Sequence, residues 1–566
     1  MKGELEMAKQ STTQKKLLLI TVPLVILALV IGVVYAINDE KPVQSDSKHE
    51  KAQLSATEKL VEETFTLSKE GKVPNIPFVA GKTKWMEVTE AWGTTEQIAE
   101  TEKARYEEYQ NQLTTIGYAG NVVNDIRSYD ANLQTISLAD IKNVAGEPDD
   151  VRYYQDETHD QIILAYDINT STELLWVLPK ATEQEPDPKV DHISLYTQVD
   201  DKAVIQSLVE VMSVEEKIGQ MILAGISGTT MNTETKNLIS QHRVGGIIFY
   251  QDNFQSPEQT VQLVNQIKEE NQTNLPLFLS TDQEGGRVTR LPGGLVNFPS
   301  NKQIGNVNNP EFSYKIGTLL GEELKAFGLN LNFAPVLDIN SNSKNPVIGD
   351  RSFGNNAEIV SNLGIQTMKG LQSQNVIPTI KHFPGHGDTS VDSHLELPIV
   401  DKSLEELEAL ELIPFKQAIN EGADVVMVAH ILLPQLDQNH PATMSQAVMT
   451  DMLRKQLGFS GVIITDDMTM GAIINHYNIA NAAVESVKAG SDVILVGHGY
   501  SNVEKVISSL KAAIESGDIS QERLNESVER IMLLKKKYDI DHAKVENVNV
   551  NALNQEITTL LNTYYQ

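Results

Sequence analysis

Acidic, basic and imidazole side chains recur where short apolar runs of this chain end. Five successive runs end in such groups, at Asp282, Asp338, Lys381, His382, His430, Asp466 and Asp467. A single polar residue after a strand is ordinary, because the following loop is solvated. Five successive runs with ionisable ends predict a shared site at one edge of a sheet, where acid–base or nucleophilic chemistry could take place. Asp467 could also orient a neighbour or cap the next helix, and the cap is favoured.

The densest group of such residues lies in the segment KHFPGHGDTSVDSHLELP, residues 381–398. Its prolines and glycines predict an irregular loop and not one face of a helix. Three interpretations stay open on the residues alone: histidines that hydrogen-bond their own backbone, a metal site of His and Asp, and an acid–base pair. In the acid–base interpretation, Asp392 fixes one imidazole nitrogen of His394, so that the other nitrogen exchanges protons with a substrate.

The elements that position these groups form a regular series from residue 203 onward. Eight short apolar runs alternate with amphipathic stretches; the runs are KIGQMILAG, VGGIIFY, LPLFLSTD, LNLNFAPVLDI, VIPTIKHF, VVMVAHI, GVIITDD and SDVILVG. Such continuous runs are typical of strands buried on both faces, hence of a parallel sheet. They predict an α/β fold, a closed (β/α)₈ barrel over residues 203–541, with an open doubly wound sheet as the alternative. Residues 542–566 are expected to form a solvated helical tail.

The N-terminal residues predict a membrane anchor. Residues 17–37 are uncharged and about as long as a helix that crosses a bilayer. Several lysines precede them, which predicts a cytoplasmic tail over residues 1–16 and an extracytoplasmic remainder held at the cell membrane by a single-pass helix. Secretion after cleavage of a signal peptide is the alternative. The polar residues 38–55 are predicted to be a linker.

Residues 56–198 predict a small α+β domain that precedes the barrel. The stretch KTKWMEVTEAWGTTEQ is echoed by LADIKNVAGEPDDVRYY, which indicates two similar halves. No cluster of catalytic residue types is evident in this domain. With IRSYD at 126–130 and GEP at 146–148, it resembles an uncharacterised domain of Gram-positive exported proteins, a resemblance that implies no activity.

The overall composition excludes several classes of function. The formal net charge of −30, with no Lys/Arg-dense tract, argues against nucleic-acid binding, because phosphates would be repelled. The absence of cysteine excludes disulfides, thiolate metal sites and cysteine nucleophiles. We expect no cofactor.

Five segments together resemble one known enzyme family. The loop 381–398 is accompanied, in the expected order, by TDQEGGRVTRL (281–291), GDRSFG (349–354), AHILLPQLDQNHPATMS (429–445) and IITDDMTMGAI (463–473). These segments are similar to the signature of glycoside hydrolase family 3, in its β-N-acetylglucosaminidase (β-N-acetylhexosaminidase) branch. The resemblance covers most of residues 203–541.

The resemblance implies a role for each matching residue. Asp466 matches the family's nucleophile, and His394 matches its general acid–base, oriented by Asp392. The residues that match the family's sugar-binding groups are Asp282, Arg290, Arg351, Lys381 and His382. No metal is implied for the site.

The expected function is a retaining exo-β-N-acetylglucosaminidase that releases terminal β-linked N-acetylglucosamine through a covalent glycosyl–Asp466 intermediate. Glycans or muropeptides that contain N-acetylglucosamine are the expected substrates, with peptidoglycan fragments as their source. Phosphorolysis is an alternative, because a neutral imidazole repels phosphate less than a carboxylate does. A metal-dependent barrel hydrolase and a non-catalytic cell-wall-binding protein are further alternatives.

Overall fold

The computed structural model of the chain describes residues 54–101 and 104–565. The predicted cytoplasmic tail and membrane anchor, and nearly all of the predicted linker, lie outside these residues. Among the residues described, no helix is both long enough and apolar enough to cross a bilayer.

The N-terminal domain is an antiparallel sheet with three helices. The helices are α1 (Ala56–Ser68), α2 (Trp85–Trp92) and α3 (Leu138–Ala145); the strands are β1 (Ile98–Glu100), β2 (Arg105–Tyr109), β3 (Thr114–Ala119), β4 (Val122–Ser128), β5 (Asp150–Gln155), β6 (Asp160–Asn169), β7 (Thr172–Pro179) and β8 (His192–Thr197). The spatial order is β1-β2-β3-β4-β8-β7-β6-β5. Each half is a helix followed by four strands, and the last strands of the two halves pair at the centre.

The repeated sequence pattern corresponds to α2 and α3, which are equivalent in the two halves. Both helices have eight residues, and both end at a glycine with positive φ, Gly93 at 80° and Gly146 at 79°. Glycine adopts this conformation without the steric cost that a Cβ would bring. The two halves share one apolar core, in which Trp176 and Tyr118 are among the largest buried side chains.

Each of the eight predicted apolar runs contributes one strand to a parallel barrel. The strands are β9 (Ile222–Gly225), β10 (Gly246–Phe249), β11 (Phe278–Thr281), β12 (Leu331–Asn332), β13 (Ile377–Phe383), β14 (Val425–Val428), β15 (Val462–Thr465) and β16 (Ile494–Val496). Their order is β15-β14-β13-β12-β11-β10-β9-β16. A single parallel bridge, Ile464 to Val493, joins β15 to the segment leading into β16 and completes the ring. The parallel eight-stranded barrel expected from the sequence is confirmed in a nearly closed form, and the open doubly wound sheet is not formed.

Helices surround this barrel on the outside. They are α4 (Asp201–Val211), α5 (Val214–Gln220), α6 (Thr233–Ser240), α7 (Pro257–Glu270), α8 (Asn301–Val307), α9 (Pro310–Ala326), α10 (Ala357–Ser373), α11 (Leu404–Ala409), α12 (Leu412–Asn420), α13 (Gly471–Ile474), α14 (Ile479–Ala489), α15 (Tyr500–Glu515), α16 (Gln521–Lys537) and α17 (Val550–Tyr564), with a π-helix at Ala447–Gln456 between β14 and β15. Serine side chains cap several of them, as Ser256 does for α7 and Ser520 for α16.

The C-terminal helix differs from the expected solvated tail. Ile557 and Leu560 of α17 are buried. The ring of Tyr564 stacks on that of Phe312 in α9, with 4.5 Å between the ring centroids. The expected helix is formed over Val550–Tyr564 and most of its side chains are solvated, but it packs on the barrel region through one face, because few apolar residues suffice for that.

Candidate active site

A cavity of about 410 Å³ opens at the carboxyl ends of the barrel strands. All eight residues that the sequence predicted for the site line it: Asp282, Arg290, Arg351, Lys381, His382, Asp392, His394 and Asp466. These residues come from segments that are up to 184 positions apart between Asp282 and Asp466. Parallel strands bring them together because their carboxyl ends share one rim of the barrel.

Asp466 follows directly after β15 and is held as a carboxylate. The backbone N–H of Asp467 donates a 2.8 Å hydrogen bond to its Oδ1. Burial acts to raise the pKa of Asp466, but the imidazoles of His382 and His430 and this backbone hydrogen bond outweigh it and lower the pKa to about 2. Asp466 is therefore an anion at neutral pH, the form that a carboxylate nucleophile requires.

His394 and Asp392 form a side-chain pair at the mouth of the cavity. His394 Nδ1 lies 2.8 Å from Asp392 Oδ1, and the same oxygen accepts a 2.9 Å hydrogen bond from the His394 backbone N–H. Although burial opposes the change, hydrogen bonds from His394 lower the pKa of Asp392. The carboxylate thus occupies Nδ1 and leaves Nε2 as the nitrogen that exchanges protons. The His394 side chain is 62% exposed, so this nitrogen is accessible.

The segment that carries His394 is bonded to the first turn of α13, which follows β15. The Gly471 N–H donates to the His394 carbonyl at 3.2 Å, and the Ala472 N–H donates to the Ser393 carbonyl at 3.1 Å. A Cβ placed on Gly471 would lie 2.6 Å from the His394 carbonyl oxygen. The absence of a side chain at Gly471 therefore allows the loop that carries His394 to lie against the segment that carries Asp466.

We expect Gly471→Ala to reduce kcat/KM by about 10²-fold, because a displacement of about 1 Å of a catalytic group has that effect. The added methyl group would push the His394 backbone away from α13. The measurement is steady-state kinetics on an aryl β-N-acetylglucosaminide, the substrate class that the family resemblance implies. Gly293→Ala is the matched control, since a Cβ at Gly293 meets no atom within 4 Å. Equal kinetics for the two variants would contradict this account of the loop.

A network of charges occupies the floor of the cavity. Glu284 accepts two hydrogen bonds from Arg351, at 2.9 Å from Nε and 2.7 Å from Nη2. Lys381 Nζ lies 2.6 Å from Asp282 and 2.8 Å from Glu284. Lys381 and Glu284 are almost completely buried. The network fixes two cations and the Asp282 carboxylate in place, so that they can hydrogen-bond a polar ligand without reorganising.

Glu284 is the member that the sequence analysis did not assign. Burial alone would raise the pKa of Glu284, but the positive charges of Arg351 and Lys381 outweigh it and hold the pKa well below its ordinary value. The residue lies inside the segment TDQEGGRVTRL, two positions after Asp282. Its place inside a segment that matches the family was the one sequence signal for a role of Glu284. Its partners, Arg351 and Lys381, become evident only in the folded chain.

We expect Glu284→Gln to destabilise the barrel by about 3–5 kcal/mol, because it leaves buried cations without their counter-charge. The measurement is urea-induced unfolding followed by circular dichroism. Glu311→Gln is the control, since Glu311 forms an exposed pair with Lys315 on α9 and should change stability by less than about 1 kcal/mol.

The difference in unfolding free energy between the wild type and Glu284→Gln should depend on pH. Because the folded pKa of Glu284 is lowered, its contribution is complete above the unfolded carboxyl pKa of about 4.3 and is lost as the pH falls through the folded value. The difference in stability between the wild type and Glu284→Gln should therefore shrink below about pH 4. A difference that stays constant down to pH 3 would contradict this assignment.

Asp338 anchors the start of the loop 381–398. It accepts the backbone N–H of His386 at 2.6 Å, and its Oδ2 lies 2.7 Å from His382 Nδ1. Burial opposes ionisation of Asp338, but the imidazole of His382 and these hydrogen bonds lower its pKa. Asp338 therefore orients His382, whose Nε2 faces Arg351 at 3.4 Å.

His386 fixes the part of the loop that precedes His394. Its Nε2 lies 2.9 Å from the Ser393 hydroxyl and its Nδ1 lies 2.9 Å from the Thr389 hydroxyl. Burial lowers the pKa of His386 to about 4, so the ring is neutral. A neutral ring with both nitrogens bonded to loop hydroxyls is a structural support, although its partners are side chains and not the backbone that the first interpretation of the loop expected.

Arg290 lines the cavity, and part of its guanidinium makes no hydrogen bond within the described residues. Its Nε is buried, and within the described part of the chain no atom accepts its hydrogen. The backbone N–H of Arg290 donates to Gln283 Oε1 at 2.8 Å, which fixes the position of the residue. Its side chain therefore offers hydrogen-bond donors to a ligand.

Asp467 does not cap the following helix, contrary to the favoured interpretation. Its Oδ1 accepts hydrogen bonds from the Thr469 backbone at 2.9 Å and from the Gly497 backbone at 2.8 Å. The Tyr250 hydroxyl donates to its Oδ2 at 3.3 Å. Helix α13 begins after Met470, whose side chain makes no cap. Asp467 instead orients Tyr250, a cavity residue that directly follows β10 and was not predicted from the sequence.

His430, which ends the sixth run, is not exposed to the cavity. It is fully buried, with Nδ1 at 2.8 Å from the Thr443 hydroxyl and Nε2 at 3.0 Å from the Asp467 carbonyl. Burial lowers the pKa of His430, whose ring supports the Asp467 carbonyl from behind the cavity. In residues 54–101 and 104–565, no group of three or more His, Asp or Glu side chains has the geometry to hold a metal ion.

Comparison with known proteins identifies two regions of the chain. The profile of the glycosyl hydrolase family 3 N-terminal domain matches residues 213–534. A domain of unknown function, DUF4309, matches residues 61–196.

Individual relatives are similar over the barrel. The chain is 36% identical over 346 residues to β-hexosaminidase A of Pseudoalteromonas piscicida, covering 57% of this chain and 58% of that protein. It is 34% identical over 306 residues to the β-hexosaminidase of Nitrosomonas eutropha, covering 53% of this chain and 87% of the relative. A solved family 3 β-N-acetylglucosaminidase from Paenibacillus sp. FPU-7 is 40% identical, with a TM-score of 0.59, over 62% of this chain and 68% of that one. The resemblance and the glycosidase class predicted from the sequence are confirmed, and the chain belongs to glycosyl hydrolase family 3.

Proposed function

We propose that the protein is a retaining exo-β-N-acetylglucosaminidase in which Asp466 is the nucleophile and the His394–Asp392 pair is the general acid–base. The observation that carries the proposal is that an ionised Asp466 and the accessible His394 line one cavity. The names of the relatives, β-hexosaminidases and a β-N-acetylglucosaminidase, support the choice of sugar.

The first step forms a covalent glycosyl enzyme. A carboxylate oxygen of Asp466 attacks the anomeric carbon as the glycosidic C–O bond breaks, and His394 Nε2 gives its proton to the departing oxygen. Asp392 stabilises the imidazolium before transfer and fixes the tautomer after it. The configuration at the anomeric carbon is inverted in this step.

The second step releases the sugar. Neutral His394 Nε2 removes a proton from water, whose oxygen attacks the anomeric carbon and displaces Asp466. The carbon is inverted again, so the β configuration is retained. The proton stays on His394, which is then ready for the next turnover.

The charged floor of the cavity suits a polar sugar. Asp282 and Lys381 offer an acceptor and a donor about a hydrogen-bond length apart, which matches neighbouring hydroxyl groups. Arg290 offers a guanidinium whose Nε has no acceptor within the described residues, which suits the carbonyl oxygen of an acetamido group. We assign these residues, with Arg351 and His382, to sugar binding.

We further propose that the natural substrates are peptidoglycan fragments that carry terminal N-acetylglucosamine. The support comes from the sequence: residues 17–37 are long and apolar enough to anchor the enzyme in the cell membrane, with lysines on the cytoplasmic side. The barrel would then face the cell wall. Detection of the full-length enzyme in the soluble fraction would contradict the anchor.

The proposal is tested by incubating the purified ectodomain with 4-nitrophenyl β-N-acetylglucosaminide and with muropeptides. We expect release of N-acetylglucosamine in Tris buffer, with the β-anomer formed first when the reaction is followed by NMR. Absence of turnover on both substrates, or first formation of the α-anomer, would overturn the proposal.

Two further conditions separate the alternatives. In phosphate buffer, formation of N-acetylglucosamine 1-phosphate at the expense of free sugar would indicate phosphorolysis, because phosphate then replaces water in the second step. Loss of activity in EDTA that is restored by a divalent metal would indicate a metal-dependent hydrolase.

A further inference from the structure

We propose that Leu395 and Ile474 form an apolar platform for the leaving group, and that the enzyme favours leaving groups with nonpolar substituents next to the glycosidic oxygen. This inference rests on the proposed function, because it assumes that His394 protonates that oxygen. Nothing in the sugar-binding floor of the cavity determines what lies beyond the oxygen.

Exposed aliphatic side chains of the barrel region are concentrated around the loop that carries His394. Among the described residues from 203 onward, the large aliphatic side chains that are exposed are Val211, Val391, Leu395, Ile399 and Ile474. Three of these lie between residues 391 and 399, and Leu395 is 70% exposed. Ile474, at the end of α13, is 52% exposed. A local excess of exposed apolar surface indicates a binding site more often than chance does.

Leu395 and Ile474 belong to two segments that are bonded to each other. The Asn475 side chain donates a 3.0 Å hydrogen bond to the Leu395 carbonyl, next to the bond from Gly471 to His394. Asn475 is the immediate neighbour of Ile474, and Leu395 is the immediate neighbour of His394. The two apolar residues therefore lie on hydrogen-bonded segments that flank His394, just outside the lining of the cavity.

The position of His394 determines which part of a substrate meets the platform. The sugar to be released lies in the cavity, between the Asp282–Lys381 pair and Asp466. Its glycosidic oxygen must lie within hydrogen-bond reach of His394 Nε2 to receive the proton. The leaving group then continues outward from that oxygen, past the residues that flank His394.

The chemistry of the platform selects the class of leaving group. Leu395 and Ile474 provide no donors or acceptors, so a sugar that presents only hydroxyl groups gains little from them. Methyl, alkyl or aryl substituents gain from the removal of apolar surface from water. We therefore expect better turnover when the leaving group carries an alkyl ether or a small apolar amide substituent than when it carries hydroxyl groups alone.

The test compares methyl and hexyl β-N-acetylglucosaminides, whose leaving alcohols are of similar basicity, so that the proton transfer from His394 is matched. For the wild type we expect the hexyl/methyl ratio of kcat/KM to be about tenfold, the effect of burying one or two methylene groups. In the double variant Leu395→Asn and Ile474→Asn the ratio should fall to about one to two. Val211→Asn, which changes an equally exposed aliphatic residue on α4, should keep the wild-type ratio.

The outcomes distinguish this inference from the function on which it rests. A wild-type ratio near one, or an unchanged ratio in the double variant, would overturn the platform while leaving the glycosidase intact. Lack of turnover of every β-N-acetylglucosaminide, the 4-nitrophenyl compound included, would overturn the proposed function. If the double variant does not fold, Leu395→Asn alone is used, and its ratio must fall at least threefold to support the platform.

Discussion

Replacing Asp466 with asparagine is expected to reduce kcat on 4-nitrophenyl β-N-acetylglucosaminide on the order of 10⁴-fold or more, as the loss of a catalytic nucleophile does in other enzymes. The substitution keeps the shape of the side chain and removes the charge that attacks the anomeric carbon. The low pKa of Asp466, about 2, means that the wild-type charge is present throughout the working pH range. The rate should therefore show no decline attributable to Asp466 between pH 5 and pH 7.

Two further variants make the assignment specific. Asp451→Asn alters an exposed carboxylate that pairs with Lys455 on the π-helix, and it should keep wild-type kinetics. Asp466→Ala in the presence of azide should form the α-glycosyl azide, because azide then attacks directly with a single inversion. Formation of the β-glycosyl azide by this variant would show that another group still forms the covalent intermediate.

The second large effect is expected for His394→Ala, and it should depend on the leaving group. For substrates with a poor leaving group, such as a disaccharide, kcat/KM should fall about 10²–10⁴-fold, the contribution of general acid catalysis. For 2,4-dinitrophenyl β-N-acetylglucosaminide, kcat/KM should change far less, because this phenolate departs without a proton. The comparison of the two substrates measures the protonation step separately from folding and binding.

A matched control for this variant exists in the N-terminal domain. His159 lies 3.1 Å from Asp156 and is 55% exposed, so it reproduces the geometry of the His394–Asp392 pair away from the cavity. His159→Ala should leave both substrates unaffected. Asp392→Asn should show the same dependence on leaving group as His394→Ala, to a smaller extent. Equal losses on both substrates for His394→Ala would assign the residue to sugar binding or loop structure instead.

The sequence predicted the barrel because its strands are encoded locally. Each of the eight apolar runs is continuous, and each became one strand of the ring. The positions of Asp282 and Asp466 followed from the same pattern, since groups at the carboxyl ends of parallel strands must meet at one rim. Local periodicity therefore sufficed for the architecture and for the location of the cavity.

Residues whose role depends on distant partners could not be assigned in the same way. Glu284 is 67 positions from Arg351, and nothing in the local pattern connects them. Asp467 accepts a hydrogen bond from Gly497, 30 positions further along the chain. A helix-capping rule considers only neighbouring residues, so it could not predict this contact. Packing of α17 likewise depends on a surface formed by α9, which is more than 200 residues away. In each case the deciding contact forms only after the ring has closed.

The arrangement of Asp467 has a consequence for the integrity of the cylinder. Between β15 and β16 the strand ladder consists of a single bridge, supplemented by backbone hydrogen bonds such as those from Thr465 to Val493 and from Met468 to Leu495. The carboxylate of Asp467 adds a further link across this seam by accepting the Gly497 N–H, and it lies directly next to Asp466, the proposed nucleophile. A single carboxylate therefore ties the segment after the last strand to the residue beside Asp466, so the seam of the cylinder and the cavity share one hydrogen-bonded residue.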